Sequence, residues 1–222
     1  MSATKEFHHN EIEQGQRAAI SDTRDYPILF DTQMVQAIVS GRKTATRRLI
    51  KNVPITATAI DKYNKTGNWT IWQNRKIEKQ ITCPYGEPGD LLWVKETWAP
   101  AIDEFAFKAD YTKEVLEEKR NKGLWKPSIH MPKTAARLWL QITDVKAQRI
   151  QSISEEEAGQ EGTGNGKVLH FDAQGESSYR AGFYKKWISI YGIESWHENP
   201  WVWAVRFQIL PFKHKLNTNY TL

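Results

Sequence analysis

The chain has 222 residues, 40% hydrophobic and 26% charged, with a formal net charge of +5, which suits one core-forming domain with appendages and only a mild preference for anionic partners. Cys83 is the only cysteine and the six histidines are scattered, so an internal disulfide and a zinc-type ligand set are both excluded. No run approaches the roughly 20 apolar residues of a membrane span, and the opening MSATKEFHHNEIEQGQ has no apolar signal core, so the expectation is a cytoplasmic protein with no cofactor, no metal and no membrane partner.

Residues 1–26 are polar and aperiodic, and are expected to form a flexible arm. Order is expected from Tyr26 to Phe30 as a short strand, followed by a helix capped by Thr32, with Met34, Val35 and Ile38 on one face and Gly41 as its stop. The polar stretch 52–82, with Trp69 and Trp72, reads as a long insertion or a hairpin. After the turn Gly86–Asp90, residues Leu91 to Trp98 read as a strong strand, and Phe105 to Tyr111 as another. Residues 112–126 suit a surface loop or short helix. From Arg137 to Val145 apolar and polar residues alternate as in a half-buried strand.

Ser154-Glu155-Glu156-Glu157 is a capping box, and its three carboxylates suit the positive end of a helix dipole. Gly162 stops that helix and a glycine-rich loop follows. Ser177 or Ser178 opens the next helix, with Phe183, Trp187 and Ile190 or Tyr191 on one stripe and Gly192 at its end. Trp201, Trp203, Val205, Phe207 and Ile209 alternate along a last strand. Strands outnumber helices and do not alternate with them, which predicts an α+β fold: a small, mainly antiparallel β-barrel with a few peripheral helices, over 27–212, with a tail at 213–222.

The segment from 41 to 52 holds five basic residues, Arg42, Lys43, Arg47, Arg48 and Lys51, no acidic residue, and the hydroxyls of Thr44 and Thr46. Guanidinium forks, an ammonium and hydroxyls converging on one turn suit a phosphate or a polar base edge. A solvated basic turn is the plain alternative.

With GRKTATRR after a short helix, YGEPGDLLWVKETW, LQITDVKAQRIQSISEEEAGQEG and the closing WVWAVRF, the chain resembles an ASCH domain of the PUA-like superfamily, most of all the larger ASCH proteins of phages and prophages. The similarity covers about residues 27–212, with the four motifs in the family's order. The resemblance implies a PUA-like barrel whose cleft binds RNA or a modified nucleoside. Some small bacterial ASCH proteins remove the acetyl group of N4-acetylcytidine with a lysine, a threonine and a glutamate. Lys43, Thr46 and Glu161 match these positions. The chemistry is coherent: a desolvated lysine among cations can take a threonine proton, and a carboxyl group can protonate the departing amine. Donors for an oxyanion are not evident. On a regular strand Lys43 and Thr46 point to opposite faces, so the segment must bend for both to meet.

Three further constellations are candidates for ligand contact. Glu96 and Trp98, at the end of the Leu91–Trp98 strand, are one; Glu96 shares a face with Leu92 and Val94, and either reaches solvent at the strand end, pairs with Arg47 or Arg48 at the cleft, or accepts hydrogen bonds from a base. Ser128 and His130 lie in a stiff, proline-flanked segment that suits a pocket wall, without the makings of a hydrolase triad. Trp196, on a polar loop, is a better base-stacking candidate than Trp201, whose alternation with Trp203 reads as core. Three functions stand open: a cleft that binds RNA, single-stranded nucleic acid or a modified nucleoside; an amidohydrolase for an N4-acylated cytidine; and a ribonuclease, for which neither a metal site nor a histidine pair is evident.

Overall fold

The computed structural model describes residues 23–54, 56–63, 68–101, 104–112, 125–164 and 178–211. Among these the chain forms ten strands and four α-helices. Most of the expected arm (1–22), much of 112–126, and the tail from 212 onward lie outside the described residues.

A five-stranded sheet dominates. Its order is β1 (Asp25–Leu29), β6 (Leu91–Lys95), β9 (Trp139–Arg149), β10 (Trp201–Ile209) and β2 (Ala45–Leu49). The β1–β6 pair is parallel, with Tyr26 opposite Leu92; the other three pairings are antiparallel. The alternation that marks these strands does place one face in the core: Leu92, Val94, Leu140, Ile142, Trp203, Val205 and Phe207 are all buried together.

The stretch 52–82 forms a second sheet, the meander β3 (Ala59–Tyr63), β4 (Asn68–Gln73) and β5 (Lys76–Thr82). It closes over the main sheet, with Ile60, Trp69 and Ile71 in the same core. Trp69 meets Trp203 edge-on, ring centroids 5.0 Å apart. A third, two-stranded sheet pairs β7 (Trp98–Pro100) with β8 (Phe105–Phe107). The run expected as one strand over Leu91–Trp98 therefore breaks at Glu96 and Thr97, and its second half pairs elsewhere.

The expected barrel is not formed. The sheets are open and partly parallel: β1 and β2 are the two edges of the five-stranded sheet, and no backbone ladder joins them. A side chain spans the gap instead, Arg48 Nη2 donating to the Leu29 carbonyl at 2.6 Å. Alternation tells which face of a strand is buried but not which strand lies beside it, so closure was not legible.

The helices sit outside the sheet. α1 (Thr32–Val39) is capped by Asp31, one residue earlier than expected, whose carboxylate accepts from the Met34 N–H at 2.8 Å. Ser154 forms the expected capping box of α2 (Glu155–Gly159) with Glu157. α3 (Tyr179–Tyr191) starts at Ser178 and ends at Gly192, and α4 (Ile193–His197) follows it. Glu155 of α2 accepts from the first N–H groups of α3, those of Tyr179 and Arg180, which joins the two helices end to end. Phe183, Trp187 and Trp196 pack with Ile150, Ile153 and Val202 into a second core. No helix among the described residues is long and apolar enough to cross a membrane.

Candidate functional site

The site is built where α1, β2 and the end of α2 converge. α1 stops at Ser40 and the chain reverses through Gly41, whose φ of 74° suits glycine. Lys43 then donates its N–H to the Ala37 carbonyl at 3.0 Å and forms an isolated bridge with Glu161. The next two N–H groups, of Thr44 and Ala45, both donate to the Gln160 carbonyl, at 2.9 and 3.1 Å. Two successive donors on one acceptor interrupt strand alternation in the manner of a bulge. Lys43 and Thr46 consequently fall on one side, both buried, while Thr44 stays exposed. This bend puts both residues on the lining of one cavity.

Gly162 makes the approach of α2 possible. Its φ is +70°, and a Cβ there would lie 2.8 Å from Lys43 Cβ and 2.9 Å from Ala37 Cβ. Only hydrogen fits between the end of α2 and the turn that carries Lys43.

The buried polar groups form one ion network. Lys43 Nζ donates to Glu161 Oε2 at 2.8 Å and to the Glu161 carbonyl at 3.0 Å. Arg47 Nη1 donates to Glu161 Oε1 at 3.0 Å and Arg47 Nη2 to Glu157 Oε2 at 2.9 Å. Glu157 Oε1 also accepts from Arg206 Nη2 at 3.2 Å. Lys43, Arg47 and Glu161 expose 6% or less of their surface, so each charge depends on these partners. Burial pushes Lys43 below the ordinary lysine range; Glu161 pulls it back, and Arg48 and Arg47 push it further down. For Glu157 burial acts upward but is outweighed by the Ser154 N–H, Arg47, Gln148 and Arg206, which hold it below the usual carboxylate range.

A cavity of about 100 Å³ opens beside this network, in the gap between β1 and β2. Phe30, Lys43, Thr46, Arg47, Arg48 and Glu161 line one side, and Phe183, Trp187 and Tyr191 of α3 the other. Phe30 lies under Lys43 and Arg48, whose cationic groups are 5.6 and 5.0 Å from its ring centroid. Lys186 of α3 pairs with Asp31 at the cavity margin, fastening α3 to the cap of α1. The stripe read from sequence as a helix core face therefore serves twice, as core and as cavity wall. Thr163, in the loop after Gly162, also lines the cavity; nothing in its sequence context marked it.

The other candidates are dispersed. Arg42 and Thr44 line a separate, more open cleft with Gly159, Gln160 and Tyr179, and Arg42 Nε donates to Ser40 Oγ at 3.0 Å. Glu96 is buried rather than at solvent, and its partner is neither Arg47 nor Arg48 but Arg137, which grips both carboxylate oxygens at 2.8 and 3.0 Å and also holds Asp110. Burial raises Glu96 above the usual carboxylate range against the pull of Arg137. Trp98 is buried with Phe107, Met131 and Ala135, and Lys126 lies over its ring. Ser128 and His130 occupy a 3₁₀ turn, His130 exposed. Neither they nor Glu96 and Trp98 border the cavity beside Lys43. Trp196 is 4% exposed, inside the second core, edge-on to Tyr184 and Phe183. Burial pushes the Cys83 thiol up to about 11, which leaves it a poor nucleophile near neutrality. Among the described residues no cluster of three or more histidine, cysteine or acidic side chains could hold a metal.

No family model matches the chain, and no curated protein matches it. A crystal structure of a protein from Enterococcus faecalis V583, described as DUF984, is similar at 13% identity over 95% of each chain, with a TM-score of 0.39. A likeness that distant carries no argument about function.

Proposed function

We propose that the chain is an amidohydrolase acting on an N4-acylated cytosine nucleoside, with Thr46 as nucleophile, Lys43 as its base and Glu161 as the group that holds Lys43. The supporting observation is the convergence of these three residues on one small cavity, from positions 118 residues apart, with Lys43 below its ordinary range. A neutral Lys43 amine accepts the Thr46 hydroxyl proton as Thr46 Oγ attacks the acyl carbon. The tetrahedral intermediate collapses, the C–N bond breaks, and the proton returns through Lys43 to the departing amine. Water then attacks the Thr46 ester, releasing the carboxylic acid and restoring the hydroxyl.

A binding-only cleft for a modified nucleoside or nucleic acid is the second reading. It is favoured by the two hydrogen bonds from Lys43 Nζ to Glu161, which suit an ammonium rather than a base. Contact with a phosphate backbone draws less support, because the terminal nitrogens of Arg47 and Nη2 of Arg48 are turned to internal acceptors.

Mass spectrometry of N4-acetylcytidine incubated with the full chain separates the readings. Conversion to cytidine and acetate that disappears in Thr46→Val supports hydrolysis. Saturable binding with unchanged substrate leaves the binding-only cleft, and neither binding nor turnover removes both.

A further inference from the structure

Arg47 spends both terminal nitrogens on Glu161 and Glu157, yet its Nε–H is buried without a hydrogen-bond partner. The Thr163 hydroxyl is buried and unpartnered too. Both residues border the cavity that holds Lys43 and Thr46. A buried donor left unsatisfied forfeits the hydrogen bond it had to water, and such groups are few in native proteins and call for an explanation. Arg48 Nε and Trp187 Nε1, on residues of the same cavity, are buried and unpartnered as well; four such groups around one cavity, next to a proposed nucleophile, have a common explanation in acceptor oxygens on the ligand. The opposite wall carries the rings of Phe183 and Trp187 and the Ile190 side chain, with Lys186 and Tyr191 beside them. The size of the space narrows the class of ligand. A volume of about 100 Å³ is small beside the roughly 300–1,000 Å³ of pockets that enclose a whole drug-sized ligand, which suits a short acyl group better than a whole nucleoside.

We infer that the cavity is an acyl pocket: the Arg47 Nε–H and the Thr163 hydroxyl take the acyl oxygen, and Phe183 and Trp187 take its alkyl end. During turnover the same two donors stabilise the oxyanion formed when Thr46 attacks, so this role rests on the amidohydrolase reading; the affinity for a short carboxylate does not. The base and sugar stay outside the pocket, and the enzyme discriminates among acyl groups by length more than among nucleosides by base. Arg47 cannot be replaced cleanly, because it also carries the ion network. Thr163→Val keeps the shape and removes only the hydroxyl.

The test has two arms on the full chain: titration with acetate followed by tryptophan fluorescence, and turnover of N4-acetylcytidine. Acetate is expected to bind wild type saturably, Thr163→Val to weaken it about tenfold, and Thr163→Ser to restore it. In the second arm Thr163→Val is expected to lower kcat by about 10²-fold with KM little changed, again rescued by serine, while its thermal midpoint equals or exceeds that of wild type. A purely structural threonine would instead lower the midpoint and leave the kcat of the folded fraction alone. Acetate that fails to bind wild type, or binds Thr163→Val equally well, overturns the pocket assignment whatever the turnover. Acetate binding lost in Thr163→Val with no turnover by wild type sustains the acyl pocket and removes the hydrolase instead.

Discussion

Lys43 and Glu161 are joined three times over: Nζ to the carboxylate at 2.8 Å, Nζ to the carbonyl at 3.0 Å, and a backbone bridge between the same two residues. The bridge fixes the carbonyl, the carbonyl fixes Lys43 Nζ, and the carboxylate is left to be shared with Arg47. The functional group and the element that carries it are thus set by the same contact.

Neutralising Glu161 is therefore expected to cost stability as well as activity. Glu161→Gln removes the buried negative charge that Lys43 and Arg47 share, leaving Lys43 the backbone carbonyl at 161 and Arg47 the Glu157 carboxylate, and breaking a buried pair in this way costs about 3–5 kcal/mol. Urea unfolding should show that loss in the midpoint with an unchanged slope. A variant as stable as wild type would mean that the network is solvated and the site more open than its burial indicates.

Gly162→Ala tests the contact from the other side. The added methyl meets Lys43 Cβ and Ala37 Cβ at under 3 Å and sits at a positive φ, so we expect a loss of about 1–3 kcal/mol. Because the methyl is driven toward Lys43, hydrolysis of N4-acetylcytidine should fall further than stability explains. Gly164→Ala is the control: its φ is also positive, but no atom lies within 4 Å of the added carbon. Equal effects at the two positions would show that backbone strain alone, not displacement of Lys43, is being read.

The local elements were legible because their signals are local. The Ser154 box, the stops at Gly41 and Gly192, the strand Trp201–Ile209 and the buried face of Leu92, Val94 and Glu96 all appear as sequence pattern implies. What failed needed knowledge of partners. The parallel pairing of β1 with β6 and the unpaired edges at β1 and β2 decide against a barrel, and alternation is silent on both. Glu96 was seen to be an anomaly, but its answer, Arg137, lies 41 positions on. The grouping of Lys43, Thr46 and Glu161 was expected from resemblance; the shared Gln160 carbonyl that turns Lys43 and Thr46 to one side is a long-range hydrogen bond without a sequence signature.

Trp196 gives a direct contrast between packing and ligand stacking. Its side chain is enclosed by Phe183 and Tyr184, ring centroids 6.4 and 5.0 Å away. Trp196→Ala is expected to cost about 3–5 kcal/mol in unfolding free energy and to leave KM for the folded fraction unchanged. Lost base stacking would instead raise KM by a factor matching roughly 1–3 kcal/mol with little loss of stability, and that pattern would place a base against α4.

The pH dependence of the site follows from the position of Lys43. Its facing charges are Glu161, which favours the ammonium, and Arg47 and Arg48, which oppose it; burial opposes it most and sets the net direction, below the ordinary 10.5. Between that lowered value and 10.5 the unfolded chain binds a proton that the folded chain does not, so stability rises with pH across the window. Below the window both states hold the proton and the contribution is flat. If Lys43 is the base, kcat/KM rises with pH over a limb whose midpoint lies below 10.5, because only the neutral amine accepts the Thr46 proton. Parallel pH profiles of kcat/KM and of urea midpoints should therefore climb together in wild type. In Lys43→Met the climb in stability should vanish along with turnover. A rate limb centred at or above 10.5, or a stability profile that falls across the window, would show that Glu161 wins over burial and keeps Lys43 a cation throughout, which leaves Thr46 without a base.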